Sequence, residues 1–235
     1  MNRILASSIV TLAACTSDPL APGSGDQLGT GTTTLQVNGS MVARPKLANA
    51  KSAGDFQTEF RVQLSLNNTP VSTGSVVVRT ATSDVPLLWK DNGQSAGHWE
   101  ASAAGYSEVY QLDVTSGSDR VSGVIVDGPD IHTITAPTAG AALDASVAIA
   151  LTWDRSETAD EARVAVENDG IVVPDSGTYS MSPRTLRADK GSTKTNTVRI
   201  TRTNQVTPAG AVGNSTVSVG VVNEIDVVAM PCPSC

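Results

Sequence analysis

The sequence predicts an all-β protein in which two tandem antiparallel β-sandwiches follow a cleaved signal peptide and a flexible tether. Three observations lead to this prediction. Aromatic residues make up 3% of the chain, and Thr, Ser, Val and Gly dominate it, a composition that favours strands and turns. Apolar and polar residues alternate with a period of two in the clearest segments. Turn sequences recur about every ten residues, which is typical of sandwiches and barrels.

The first fourteen residues have the layout of a secretory signal peptide. Arg3 gives a positive start, and residues 4–14 form an apolar run that is too short to span a bilayer. The run leads into Leu12-Ala13-Ala14-Cys15, which resembles the lipobox of bacterial lipoproteins. The resemblance implies cleavage before Cys15, a diacylglyceryl group on the Cys15 thiol and acylation of the new amino terminus. An ordinary signal peptide followed by a chance cysteine is the alternative.

Residues 15–34 are predicted to be the lipidated cysteine and a disordered tether rich in Gly, Pro, Ser and Thr. The chain carries 16 Lys and Arg against 23 Asp and Glu. Its net charge of −7 becomes −8 when Arg3 leaves with the signal peptide. This acidic balance argues against a nucleic-acid partner. The predicted partners are the membrane, through the lipid anchor, and an envelope glycan or protein.

The first sandwich is predicted to occupy residues 35–127. Its clearest strand is 56–66, where Phe60, Val62 and Leu64 alternate with polar residues. Further strands are predicted at 75–80, 85–90, 98–102, 109–114 and 120–126.

Residues 60–126 resemble the transthyretin-like domains that accompany carboxypeptidases and occur in many secreted bacterial proteins. The resemblance rests on N-N-T-P-V-S at 67–72, V-V-V-R at 76–79 and Lys90-Asp91-Asn92-Gly93 before His98-Trp99-Glu100. Ala104-Gly105-Tyr106 follows at the expected place. These are turns and strands, so the resemblance implies a fold and no activity.

Asp127-Gly128-Pro129-Asp130 marks a boundary, and the second sandwich is predicted at residues 131–230. Its strands are predicted at 131–133, 147–153, 163–167, 171–173, 178–181, 196–203 and 216–228. The stretch from Ile134 to Trp153 resembles fibronectin type III or immunoglobulin-like bacterial modules, which implies that Trp153 lies in the core. The whole chain also resembles uncharacterised lipoproteins that have this two-part layout.

The tail at 231–235 contains Cys232 and Cys235 in a C-x-x-C pattern. Pro231 and Pro233 oppose the helix that a redox motif of this kind requires. A small disulfide loop is the preferred interpretation, and a free thiol pair or a crosslink to a partner are the alternatives.

The sequence offers no recognisable catalytic or metal site. The two histidines, His98 and His132, fall in different predicted sandwiches, and there is no G-x-S-x-G motif. We therefore expect no enzyme activity, no metal and no cofactor. Asp127, Asp130 and Asp154 could supply oxygens to calcium, although D-G-P-D is also an ordinary turn, which is the preferred interpretation.

Two surface features remain as candidate binding sites. Trp89 and Trp99 flank one turn, and they form either a sugar-stacking platform or part of an aliphatic core. A basic stretch follows the acidic segment 154–175, and it predicts either charged sheet edges or an anion-binding patch. Its cations are Arg184, Arg187, Lys190, Lys194, Arg199 and Arg202.

Taken together, these features predict a lipid-anchored cell-envelope protein that acts as a non-enzymatic structural or binding module. Thr16 follows Cys15, where many lipoproteins of the inner membrane carry aspartate, so the resemblance favours the outer membrane. An adhesin or glycan-binding lipoprotein and an accessory domain of an envelope enzyme are the alternatives.

Overall fold

The structure is a computed structural model that describes residues 20–91, 93 and 97–231. Within these residues the chain forms eighteen strands and one turn of 3₁₀ helix, and no α-helix is present. The elements are β1 Gln27–Gly31, β2 Leu35–Pro45, the 3₁₀ turn Ala53–Asp55, β3 Phe56–Leu66, β4 Thr69–Pro70, β5 Ser75–Arg79, β6 Asp84–Pro86, β7 Leu88–Lys90, β8 His98–Ala104, β9 Val109–Ser116, β10 Asp119–Asp127, β11 Ile134–Ala136, β12 Ala142–Leu143, β13 Ile149–Trp153, β14 Glu161–Val166, β15 Asp169–Val173, β16 Thr178–Met181, β17 Lys194–Val206 and β18 Thr216–Ala229.

The strands form three sheets, which confirms the all-β prediction. A five-stranded sheet has the order β1-β10-β9-β5-β6, and a three-stranded sheet has the order β11-β13-β16. A third sheet of ten strands runs β15-β14-β17-β18-β2-β3-β8-β7, with β12 beside β18 and β4 beside β3. No helix within the described residues is long and apolar enough to cross a membrane.

Two hydrophobic cores lie against the same long sheet. The first core packs β2, β3 and β8 against the five-stranded sheet, and its largest buried side chains include Phe56, Phe60 and Tyr110. The second core packs β14 and β17 against the three-stranded sheet around Trp153, which is 4% exposed as the resemblance implied. Strands such as β3 form because alternate apolar residues face a core while their polar neighbours face water.

Strand β18 contributes to both cores. Its first half supplies Val217, Val219 and Val221 to the first core, and its second half supplies Ile225 and Val227 to the second. The first half also pairs with β2 in parallel, so the sandwiches are not antiparallel throughout. Val206 and Ala211 also belong to the first core, so residues beyond the predicted boundary at 127–130 complete that core.

Part of the predicted tether is a strand. Residues 27–31 form β1, which pairs with β10 from Gln27 opposite Ile125 to Gly31 opposite Val121. The backbone of this segment also bonds to the loop before β18, because Ala209 N–H donates to the Leu28 carbonyl at 2.8 Å. Gly31 permits the approach, since a Cβ on it would overlap the carbonyls of Arg120 and Gly210. Composition alone suggested a coil here, and pairing with the edge of β10 decides otherwise.

The predicted strand at 85–90 also divides into two. Val85 lies in β6 of the five-stranded sheet, whereas Trp89 lies in β7 at the end of the long sheet. Leu87, which is buried between them, is the point where the chain passes from one sheet to the other.

Candidate functional site

The basic stretch does not form one cationic face. In β17 the even-numbered residues from Asn196 to Arg202 are buried, while Arg199 and Thr201 point to the other side of the sheet. The prediction that Arg202 belongs to a surface patch is therefore wrong, because its side chain is 0% exposed.

The other cations of the stretch lie outside the core. Three of them have acidic partners: Arg187 contacts Asp169 at 3.2 Å, Lys194 contacts Asp189 at 3.3 Å and Arg199 contacts Glu224 at 2.8 Å. Arg184 and Lys190 are exposed and form no ion pair with the described residues. Neutralisation by neighbouring carboxylates favours the interpretation of this stretch as charged surface rather than as an anion site.

Arg202 instead occupies the centre of a buried polar cluster between the two cores. We call Arg202, Asp175, Asp130 and His132 the junction cluster. Arg202 Nε donates to Asp175 Oδ2 at 3.0 Å, and Nη1 donates to the carbonyl and Oδ1 of Asp130 at 2.8 and 2.9 Å. Nη2 donates to the Glu157 carbonyl. Every guanidinium nitrogen therefore has an acceptor, as a buried charge requires.

Asp175, like Arg202, is buried and hydrogen-bonded. Its side chain is 0% exposed, and it accepts hydrogen bonds from Trp153 Nε1 at 2.9 Å and from the Ala159 backbone N–H at 2.8 Å. The pair thus connects the core tryptophan of β13 to the middle of β17. Such a pair adds little net stability, because desolvation of the two ions offsets most of their attraction.

The surroundings of the cluster lower the pKa values of two of its side chains, Asp130 and His132. Partial burial would raise the pKa of Asp130, but hydrogen bonds from Ser156 and Arg202, together with the Arg202 charge, hold that pKa below its usual value. Burial, and then the charge of Arg202, lowers the pKa of His132 from 6.5 to about 4. His132 is therefore neutral at pH 7, and neither ring nitrogen has a hydrogen-bond partner among the described residues.

Side chains near the junction cluster also donate hydrogen bonds to the backbone of the linker that joins the two cores. Tyr106 Oη donates to the Pro129 carbonyl at 2.6 Å, and Asn204 Nδ2 donates to the Asp127 carbonyl at 2.7 Å. Asn223, buried in β18, donates to the His132 carbonyl at 2.7 Å. Side chains from both halves of the chain therefore satisfy the linker backbone.

Asp130 and Asp154, two of the three candidate calcium ligands, serve as local acceptors. Asp154 accepts from the backbone and hydroxyl of Thr133, and Asp130 accepts from Ser156 and Arg202. Asp127 also accepts, from the Gly25 N–H at 3.0 Å. These contacts favour the turn interpretation. Among the described residues, no three potential metal-ligating side chains come together.

Trp89 and Trp99 face each other across β7 and β8, with ring centroids 5.9 Å apart and an interplanar angle of 68°. Trp99 is 6% exposed, and its Nε1 donates to the Val71 carbonyl at 3.0 Å. The edge-to-face geometry and the burial of Trp99 favour a packing role over a sugar-stacking platform.

Cys15, Cys232 and Cys235 lie outside the described residues, as do the predicted signal peptide and the first part of the predicted tether. The predictions made for them stand on the sequence.

The sequence did contain a signal for the junction cluster. Arg202 has the same strand parity as Val198 and Ile200, so a period-two pattern places it on the core side. Asp175 carries no such signal, because it follows β15 in a loop. Its pairing with Arg202 spans 27 residues, and nothing local specifies it.

No protein-family model matches the sequence, and a comparison with curated proteins found no match. Solved structures with some similarity include fibronectin(III)-like modules of Clostridium thermocellum CbhA, at 15% identity and a TM-score of 0.27, covering 78% of this chain and 93% of that one. The adhesin InvE of Yersinia pseudotuberculosis has 15% identity and a TM-score of 0.24, covering 83% and 60%. The fold assignment rests on this chain's own strands, which define an all-β protein with two cores joined by a buried polar cluster.

Proposed function

We propose that this chain is a lipid-anchored protein of the cell envelope whose two joined cores act as a non-enzymatic structural or binding module. The observation that carries the module role is the junction cluster. In it Arg202 bonds to Asp175 and Asp130, and Tyr106 and Asn204 bond to the adjoining linker backbone, which supports one fixed arrangement of the two cores. A catalytic site would instead present such groups in an open cleft.

The proposal of an anchor rests on the sequence from Arg3 to Cys15. Two or more acyl chains on one cysteine would hold the protein at a membrane without help from basic residues. This matters for a chain whose net charge is −7. The outer membrane is the proposed location, because Thr16 follows the cysteine where many lipoproteins of the inner membrane carry aspartate.

Fractionation of cells that express Cys15→Ala tests the anchor. We expect the wild-type protein in the membrane fraction, with an acylated cysteine at its amino terminus in the mass spectrum. Cys15→Ala should be unprocessed or released, and the matched variant Thr16→Ala should behave as wild type. An unmodified mature amino terminus at another residue would refute the anchor.

A further inference from the structure

The outer face of the long sheet carries a set of six polar side chains, five of which have no hydrogen-bond partner among the described residues; the sixth, Ser218, donates to the Gly39 carbonyl at 3.4 Å. They form two rows across β18, β2 and β3. Thr216, Asn38 and Gln63 are register neighbours in one row, and Ser218, Ser40 and Arg61 are register neighbours in the next. We call these six residues the polar groove, because they line a depression of about 420 Å³.

Some polar side chains of this sheet face pair with one another, as Thr197 does with Asp226 at 2.7 Å and Arg44 with Glu59 at 2.8 Å. Within the described part of the chain, the side chains of Asn38, Gln63, Ser40, Thr216 and Arg61 form no hydrogen bond or ion pair. Their donors and acceptors are therefore available to a ligand.

Arg61 is unpaired although two carboxylates lie near it. Glu100 is its direct register partner on β8, but that carboxylate contacts His98 Nε2 at 2.9 Å and Lys90 Nζ at 3.7 Å. Glu59, two residues away on the same face, pairs with Arg44. The adjacent acids are thus directed toward other cations, and the guanidinium is left to bind an external anion, for which its planar fork suits a carboxylate.

The groove continues beyond its six residues. Arg61 also lines a neighbouring depression of about 490 Å³ toward β7, together with Leu88, Ser102 and the carboxylates of Glu59 and Glu100 that already pair with other cations. On its other side, Asn38 and Gln63 line a third depression of about 240 Å³. Since neighbouring strands lie about 4.8 Å apart, the five strands from β18 to β7 span roughly 20 Å. An extended ligand can therefore lie across them.

We infer that the polar groove binds an acidic saccharide, with a carboxylate at Arg61 and hydroxyl groups at Asn38, Gln63 and the Ser and Thr hydroxyls. Amides and hydroxyls both donate and accept, which matches a ligand rich in hydroxyl groups. A peptide added as a strand would need a free sheet edge, and β2 is already paired on both sides. The inference builds on the proposed binding role and is independent of the lipid anchor.

Calorimetric titration of the purified whole protein with tetramers of uronic acids tests the inference. The controls are the same tetramers with their carboxyl groups reduced to alcohols, and tetraglutamate. We expect saturable binding of a uronic-acid tetramer that weakens as salt is raised, and much weaker binding of both controls. Arg61→Gln should weaken binding by about tenfold or more, because a charge-assisted hydrogen bond is lost. Asn38→Ala combined with Gln63→Ala should also weaken it.

Arg187→Gln is the matched variant, since it removes the same charge from the basic stretch and should leave binding unchanged. Circular dichroism of each variant confirms that the fold is kept. Four results would overturn the inference: no saturable binding of any uronic-acid tetramer, equal binding of tetraglutamate, unchanged affinity in Arg61→Gln, or loss in Arg187→Gln alone. The fractionation of Cys15→Ala is unaffected by any of them, so a failed groove and a failed anchor are distinguishable.

Discussion

At the scale of single residues, Arg202 is a charged side chain that is fully buried. A buried guanidinium is tolerated because Asp175, Asp130 and the Glu157 carbonyl together satisfy it. Removing one member leaves the others buried and unpaired, which costs more than the intact pair contributes. The cluster therefore makes the protein sensitive to single substitutions and more tolerant of paired ones.

Arg202→Met should lower the free energy of unfolding by about 3–5 kcal/mol, because Asp175 keeps its charge without its partner. Adding Asp175→Leu should recover part of that loss, since no unpaired carboxylate then remains. Urea denaturation followed by circular dichroism measures both.

Arg199→Gln is the matched control on the same strand. Its pair with Glu224 is partly exposed, so the loss should stay within about 1 kcal/mol. Equal destabilisation by Arg199→Gln and Arg202→Met would contradict the buried role of Arg202.

The lowered pKa of His132 predicts that the folded protein loses stability in acid. Its pKa is near 6.5 when the chain is unfolded and about 4 when it is folded, so the unfolded state takes up the proton first as the pH falls. Stability should therefore decrease between about pH 6.5 and pH 4, by up to about 3 kcal/mol. Burial raises the pKa of Glu108 and acts in the opposite direction. The comparison with His132→Leu therefore isolates the histidine.

The measurement is the free energy of unfolding at pH 7 and at pH 4.5 for both proteins. His132→Leu should lose less stability on acidification than the wild type. Identical losses would show that His132 does not carry the effect.

At the scale of elements, local sequence patterns predicted which residues form strands better than they predicted which strands pair with each other. The alternation of Phe60, Val62 and Leu64 predicted β3 correctly, because the apolar or polar character of each side chain decides which face of the strand it occupies. The pairing of Asn38 with Thr216 could not be predicted, because no local pattern links strands that lie so far apart in the chain. Strand β1 was missed for the same reason, since its Gly and Thr residues gain order from β10 rather than from their own propensity.

The close backbone contact at β1 predicts that position 31 requires glycine. Gly31→Ala should destabilise the protein by roughly 1–3 kcal/mol, because a methyl group there would overlap the backbone of Arg120 and Gly210. Gly213→Ala, in the adjoining loop, has nothing within 4 Å of the added carbon and should change stability by less than about 0.5 kcal/mol. Thermal unfolding of both variants gives the comparison, and equal effects would show that β1 does not dock on this loop.

At the scale of the whole molecule, the shared strands predict one cooperative unit. Strands β17 and β18 pair along thirteen register positions that run past both cores, so neither core should unfold alone. Unfolding followed by tryptophan fluorescence and by far-ultraviolet circular dichroism should give coincident transitions. Residues 33–128 expressed alone lack β1 and the first half of β18, and they should show no cooperative transition. Two separate transitions, or a folded fragment, would contradict this unit.

The parallel pairing of β2 with β18 also determines how the molecule would respond to mechanical force. β2 enters the fold at Leu35, beside the beginning of β18, whereas β18 ends at Ala229, about 45 Å further along at ~3.3 Å per residue. Once β1 has been pulled away from β10, tension between the amino-terminal and carboxyl-terminal ends of the chain would pull β2 and β18 in opposite directions along their length. The ladder from Asn38 to Ala43 would then be loaded in shear, with its hydrogen bonds sharing the load at once rather than opening one after another.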